Sequence, residues 1–249
     1  MRRSLRLTTT RGTAVLLLCL GALLATAAQA ADAPPVVVEL FTSQGCPGCR
    51  PAELLAAELS KRPGLLLLTW PVGYWDYLGW RDTLAQPASA ERQRGYAAAR
   101  GERQILTPES VVNGKLSVVG SDRMTLERAL REMSGAASVP VSCNEQGERI
   151  VVDVGAAADP SVRAEVLLVP VLRSRTVAIE GGERPGRALY VHAARGVQRI
   201  GTWTGRAVRF EAPRSAARVR EADSYAILLQ TMSGGRAGRI YGAARGPGL

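Results

Sequence analysis

Histidine is almost missing from this chain: among 249 residues there is one, His192. Cysteine is sparse too, with four, and lysine is reduced to Lys61 and Lys115. These shortages narrow the chemistry. A structural zinc needs four ligands drawn mainly from Cys and His, and the chain cannot gather them at one place, so no metal or other cofactor is expected. Two thiolates alone leave only copper(I) open as a metal. The same scarcity argues against a Cys–His hydrolase arrangement, and His192 reads as an ordinary strand residue. No stretch holds the roughly 18 consecutive apolar residues of a membrane span. Charge of one sign is not concentrated either. The formal net charge is +10, but Arg2, Arg3, Arg6 and Arg11 sit in a first thirty residues without acid; beyond them 28 basic residues face 22 acidic ones. A balance of +6, scattered and without interleaved aromatics, argues against nucleic-acid binding. The preference for Arg over Lys reads as a genome bias.

What is present first is an address. The four arginines form a positive n-region, Ala14–Leu24 an apolar h-region, and Ala28-Gln29-Ala30 a small-residue cleavage site. Residues 1–30 are therefore expected to be a signal peptide cleaved after Ala30, giving a periplasmic or secreted protein with no stable membrane span. A lipid anchor through Cys19 is disfavoured by the bulky Leu18 before it. Export leaves Cys46, Cys49 and Cys143 in an oxidising compartment. Three thiols cannot all pair, so Cys143 is either a buried hydrophobe or an intermolecular partner, and burial is favoured.

The chain is organised around Val36–Arg50, V-V-V-E-L-F-T-S-Q-G-C-P-G-C-R. A β-branched apolar run reads as a buried strand, Thr42–Gly45 as a turn, and Ala52–Leu59 as an amphipathic helix. Strand, turn, Cys-x-x-Cys and helix open a thioredoxin-like unit. Leu65–Trp70 is a second buried strand, apolar enough to be covered on both faces. An aromatic insertion follows, Y-W-D-Y-L-G-W at 74–80. Ala88–Arg100 reads as a helix capped by Ser89, and Asn113-Gly114 marks a hairpin between two short apolar runs. Ser121-Asp122 caps a helix from Arg123 to about Met133. The expectation for residues 31–134 is an α/β thioredoxin-like domain with the aromatic insertion after its second strand.

Residues 135–140 read as a linker. Beyond it, short runs at 149–154, 164–172, 176–180, 188–193, 207–211, 224–231 and 238–243 are separated by Gly, Pro, Asp and Arg. Val208 and Phe210 alternate with Arg209 and Glu211, and Tyr225, Ile227 and Leu229 share a face. With no helical window, residues 141–246 are expected to form a mostly antiparallel β-sandwich domain.

Several of these patterns together resemble an exported bacterial family, domain of unknown function 1223. They are E-L-F-T-S-Q-G-C-x-x-C with Pro51 two residues on, Y-W-D-x-L-G-W, T-P-x-x-V-V-N-G at 107–114 and V-G-S-D at 119–122. Gly181-Gly182-Glu183, Gly186-Arg187, Leu228-Leu229-Gln230 and Gly242-Ala243-Ala244 extend the likeness to about residue 245. The resemblance implies a thioredoxin-like fold and export, and no settled activity. Where the family has His-Val-Asp ahead of the aromatic element, this chain has Pro71-Val72-Gly73. The resemblance also implies that Thr107-Pro108 stands where this fold carries a cis-proline facing the Cys pair, leaving Thr107 to bind an extended substrate strand.

The chemistry expected of the pair is thiol–disulfide exchange. Cys46, exposed at a helix start with Pro47 in the first turn, would be held as a thiolate by unpaired N–H groups, the helix dipole and nearby Arg50. Cys49, one turn further in, would resolve the mixed disulfide. Against this stands a static disulfide that staples a turn. Glu39, an acid in an apolar strand, either relays the proton lost by Cys49 or sits at a strand edge paired with an arginine. Tyr74, Trp75 and Trp80 either line a peptide groove beside Thr107 and Pro108 or pack the insertion down, Asp76 binding backbone amides.

Two functions follow. One is an exported thiol–disulfide oxidoreductase that acts on a substrate protein or small thiol and is served by an unknown redox partner. The other is a non-catalytic thioredoxin-like binding or assembly protein whose pair stays oxidised. Solvent access decides between them. If both sulfurs are sealed, an inert scaffold remains.

Overall fold

The computed structural model describes residues 34–136 and 139–249. The expected leader with its cleavage site, and positions 137–138 of the expected linker, lie outside the described residues. No helix among the described residues is long and apolar enough to cross a membrane.

Strand β1 (Val36–Thr42), helix α1 (Arg50–Leu59) and strand β2 (Leu65–Pro71) form the first unit, with β1 and β2 parallel from Val36↔Leu65 to Thr42↔Pro71. Every residue of β2 is buried, as its unbroken apolar run requires. Helix α2 (Pro87–Ala99) begins at Pro87, whose missing N–H costs nothing in a first turn, so Ser89 lies inside the helix and Gln86 is the N-cap. Strands β3 (Glu109–Val112) and β4 (Leu116–Val119) make the hairpin; Asn113 and Gly114 both take positive φ, 47° and 66°. Asp122 accepts a hydrogen bond from Thr125 N–H (3.1 Å) and so caps α3 (Arg123–Met133).

Strands β5 (Val141–Gln146), β6 (Arg149–Val154), β7 (Ala164–Ile179), β8 (Gly186–Ala194), β9 (Gln198–Trp203), β10 (Val208–Pro213), β11 (Ser224–Ser233) and β12 (Arg236–Arg245) complete a mostly β structure. Its main body is a curled mixed sheet, ordered β12-β11-β7-β8-β2-β1-β3-β4, with β9 also on β7. Only β10, β6 and β5 form a second, antiparallel sheet. The expected self-contained sandwich is thus corrected: most strands of the second half extend the sheet of the first, through β8 lying parallel to β2 at Thr69↔Ala193. The runs at 164–172 and 176–180 are one strand of 16 residues. Ser174 and Arg175 interrupt its apolarity but stay in register with Val191 and Tyr190 of β8. Strands β5 and β9, largely polar, carry too little apolar alternation to be read locally.

Helices α1 and α3 cover one face of the sheet, where Val38, Leu40, Leu67 and Val112 meet Leu55, Leu126 and Leu130. On the other face, α2 sends Tyr96 into a core with Phe41, Leu68 and Trp70, and this core runs on into Val169, Leu228 and Ile240. The second sheet packs Ile150 and Val152 against Leu168, Trp203 and Ile227. Each fully buried Leu in these layers stabilises the fold by about 1.5–3 kcal/mol.

Candidate functional site

Cys46 and Cys49 form a disulfide, with Cα atoms 5.5 Å apart. The loop that carries them is a pair of tight turns. Cys46 N–H donates to Ser43 O (3.2 Å) and Cys49 N–H to Cys46 O (3.3 Å), before Glu53 N–H reaches Cys49 O (3.1 Å) and opens the helix. Cys49 is therefore the N-cap of α1 and Cys46 lies three residues outside it; Pro51, not Pro47, occupies the first turn. The expectation of a sulfur exposed at the helix start is corrected. Cys46 is 1% exposed and Cys49 0%. Pro47 and Gly48, the outer rim of the loop, are exposed instead, as is Arg50.

The aromatic insertion lies over this loop. Trp75 presses its carbonyl on Gly45, where an added Cβ would stand 3.0 Å from the oxygen, and its indole Nε1 donates to Thr107 Oγ1 (2.5 Å). The Thr107–Pro108 bond is cis. Trp80 Nε1 donates to Gln44 Oε1 (2.9 Å), and the Gln44 N–H and side-chain amide donate to Asp82 at 2.8 and 3.1 Å. Asp82 also accepts from Tyr190 OH (2.6 Å) on β8 and from the Leu84 and Ala85 N–H groups. Burial pushes the Asp82 carboxyl above its ordinary value, while those donors pull the other way. Tyr74 donates to Gln93 Oε1 (3.1 Å), and Asp76 accepts from Asp82 N–H (3.1 Å).

A second clamp comes from the β7–β8 connection. Arg184 grips Glu53 of α1 through both nitrogens (3.0 and 2.5 Å) and donates to Ser43 O (3.1 Å). Thr42 Oγ1 donates to the same Glu53 carboxylate (3.1 Å). Sequence reasoning missed Gln44, Glu53, Asp82 and Arg184. Glu53, the only acid in the first turn of α1, was the one local signal. The partner of Glu53 lies 131 residues away.

Glu39 is fully buried, at the centre of the sheet and not at its edge. Arg92 of α2 meets it through Nε (2.7 Å) and Nη2 (3.1 Å), and Tyr96 OH donates to the same carboxylate. Gln230 of β11 closes the network, accepting from Arg92 Nη2 (2.7 Å) and donating to Tyr96 OH (2.6 Å). The structure thus brings Cys46, Cys49, Trp75, Trp80 and Thr107 into one linked assembly and gives Glu39 to a separate one. Cys143 is half-buried with its Sγ 3.4 Å from Arg245 O, and burial pushes its thiol up to about 11. His192 points Nδ1 at Leu67 O (3.0 Å), and burial lowers its pKa.

The family described as "Protein of unknown function (DUF1223)" matches residues 37–230. The chain belongs to the DUF1223 family. Its crystallographically determined relatives include an Agrobacterium tumefaciens protein, 33% identical, with 88% of this chain and 96% of that chain covered and a TM-score of 0.78. HBP35 of Porphyromonas gingivalis is similar in fold alone, at 12% identity and a TM-score of 0.55, with 85% and 74% covered. No curated protein matches the chain. For this DUF1223 chain the Cys46–Cys49 pair, with the Gln44–Asp82 and Arg184–Glu53 clamps on either side, is the candidate site. Pro71-Val72-Gly73 supplies the buried Val72 from which the aromatic element departs.

Proposed function

We propose that this is an exported, thioredoxin-like binding or assembly protein in which Cys46–Cys49 serves as a structural cross-link. Export rests on the n-region, apolar core and Ala28-Gln29-Ala30 site of the leader. The thioredoxin-like assignment is supported by the order β2-β1-β3-β4 in the first half and by the Cys pair at the turn into α1. The observation that carries the non-catalytic role is the sealing of both sulfurs, 1% and 0% exposed. Exchange requires a thiolate to approach a disulfide sulfur in line, and this conformation offers it no path. The test is reduction of the pair, removal of the reductant, and labelling of the reduced protein with a maleimide across pH 6–8. The expected result is slow, equal labelling of Cys46 and Cys49 at all pH values. Rapid labelling of Cys46 alone near pH 6 would overturn the role.

A thiol–disulfide oxidoreductase is the second reading, and the thinness of the cover favours it: no residue of the Asp76–Leu78 turn is buried. In that reaction a substrate thiolate attacks Cys46 Sγ, the Cys46–Cys49 bond breaks and Cys49 leaves as a thiolate that takes up a proton. A second thiol of the substrate then displaces Cys46 from the mixed disulfide, so the substrate gains a disulfide and the protein ends with two thiols.

A further inference from the structure

The aromatic element is built as a bracketed flap. Val72 before it is fully buried, and Asp82 after it is 3% exposed, yet no residue from 73 to 81 is buried. Gly73 and Gly79 stand at either side of the intervening Tyr74–Leu78. Gly79 takes φ +88°, and a Cβ at Gly73 would crowd the Asp76 carboxylate at 3.3 Å. The anchors outside this bracket are strong: Trp80 on Gln44, Gln44 on Asp82, and the Arg184–Glu53 pair beneath. Within it the hold is a few part-buried contacts: Tyr74 donates to Gln93 (3.1 Å) and Asp76 accepts from Asp82 N–H (3.1 Å). Trp75 makes one side-chain hydrogen bond, to Thr107, and stacks on Tyr77 with centroids 6.2 Å apart; Tyr77 itself is 77% exposed. A segment whose only purpose was to pack the insertion down would turn its large rings inward, where burial stabilises most. This one lays the Trp75 backbone and Cβ on Gly45 of the disulfide loop, sets the indole on Thr107 and leaves Tyr77 in solvent.

We infer that Tyr74–Gly79 is an autoinhibitory flap with Trp75 as its plug. It closes the loop of Cys46 and occupies Thr107, and it lifts about Gly73 and Gly79 while Trp80, Asp82 and Arg184 stay in place. Local opening of this kind is drawn from segments with few buried contacts. The flap's geometry stands by itself; its purpose rests on the oxidoreductase reading, in which lifting exposes Cys46 to an incoming thiolate.

The test is the rate at which dithiothreitol reduces the pair in native buffer, read by maleimide mass shift, in the wild type and in Trp75→Ala and Trp75→Phe. Losing closing free energy of the size of one hydrogen bond and a ring stack predicts about tenfold or more faster reduction in Trp75→Ala. Trp75→Phe, which keeps a ring but not the donor, falls between. Cys143 reports the global fold. Acceleration with Cys143 still unlabelled supports the flap, whereas acceleration with Cys143 labelled means general loosening and counts against it. A wild-type rate in Trp75→Ala overturns it. Oxidation of a reduced dithiol peptide by the disulfide form separates flap from function. If Trp75→Ala is reduced quickly by dithiothreitol but oxidises the peptide no faster than the wild type, the flap stands and the oxidoreductase reading falls.

Discussion

Replacing Arg92 by Met would strip the one cation from the most deeply buried charged group in the described structure. Glu39 has no exposed surface, and Arg92 supplies two of the three side-chain hydrogen bonds to it, at 2.7 and 3.1 Å, with Tyr96 supplying the third. The same guanidinium lies 4.8 Å over the Trp70 ring and serves Gln230 Oε1. Without it a carboxylate is left desolvated beside a single neutral donor, and Gln230 Oε1 loses its partner too. Breaking a buried pair in this way costs about 3–5 kcal/mol. For a protein of this size, that corresponds to a fall in Tm of about 6–20 °C. Urea titration with a constant slope, followed by calorimetry, measures it. The double variant Glu39→Gln, Arg92→Met removes the uncompensated charge and is expected to recover at least half of the loss. If Arg92→Met loses less than about 1 kcal/mol, the level of an exposed pair, then the network does not secure α2 to the sheet and the reasoning fails.

Asp82 and Cys143 give two further tests. Burial raises the Asp82 pKa in the folded state above its ordinary 3.8, so its contribution to stability is present in acid and is lost as pH rises through the raised value. Relative to Asp82→Asn, the wild type should gain stability as pH falls through that value, with the difference levelling off below about 3.8; a flat difference across the range would refute it. Cys143, raised from 9.0 to about 11, should hold about a hundredfold less thiolate at pH 8 than an ordinary cysteine and alkylate correspondingly slowly in the native protein. Labelling at the free-thiol rate would contradict its burial.

Local signals carried the parts of the fold that depend on a few adjacent residues. Asn113-Gly114, Asp122 ahead of α3, and the two apolar strands around the Cys pair were legible because turn conformation, capping and burial on both faces each demand particular residue types. The start of α1 was not, since Pro47 and Pro51 both suit a first turn, and the turns at Cys46 decided for the later one. The pairing of Cys46 with Cys49 followed from spacing, but the seat of Trp75 on the neighbouring Gly45 and on Thr107 joins segments far apart in the chain and left no local mark. Partners across long stretches left no mark: Asp82 and Tyr190 are 108 residues apart, Arg92 and Gln230 138. The change in rhythm after residue 134 marked new strands correctly but carried nothing about which sheet they would join. Hydrophobic alternation specifies a face, not a neighbour.

The placement of β8 beside β2 bears on how the molecule can be dissected. A fragment ending at residue 134 would present β2, a strand buried at every residue, as an open border with bare amide and carbonyl groups. It would also lose Tyr190 from Asp82, Arg184 from Glu53 and Gln230 from Arg92. Such a border invites other chains to add themselves, so the first half expressed alone should clump, and the later strands act as its sheath.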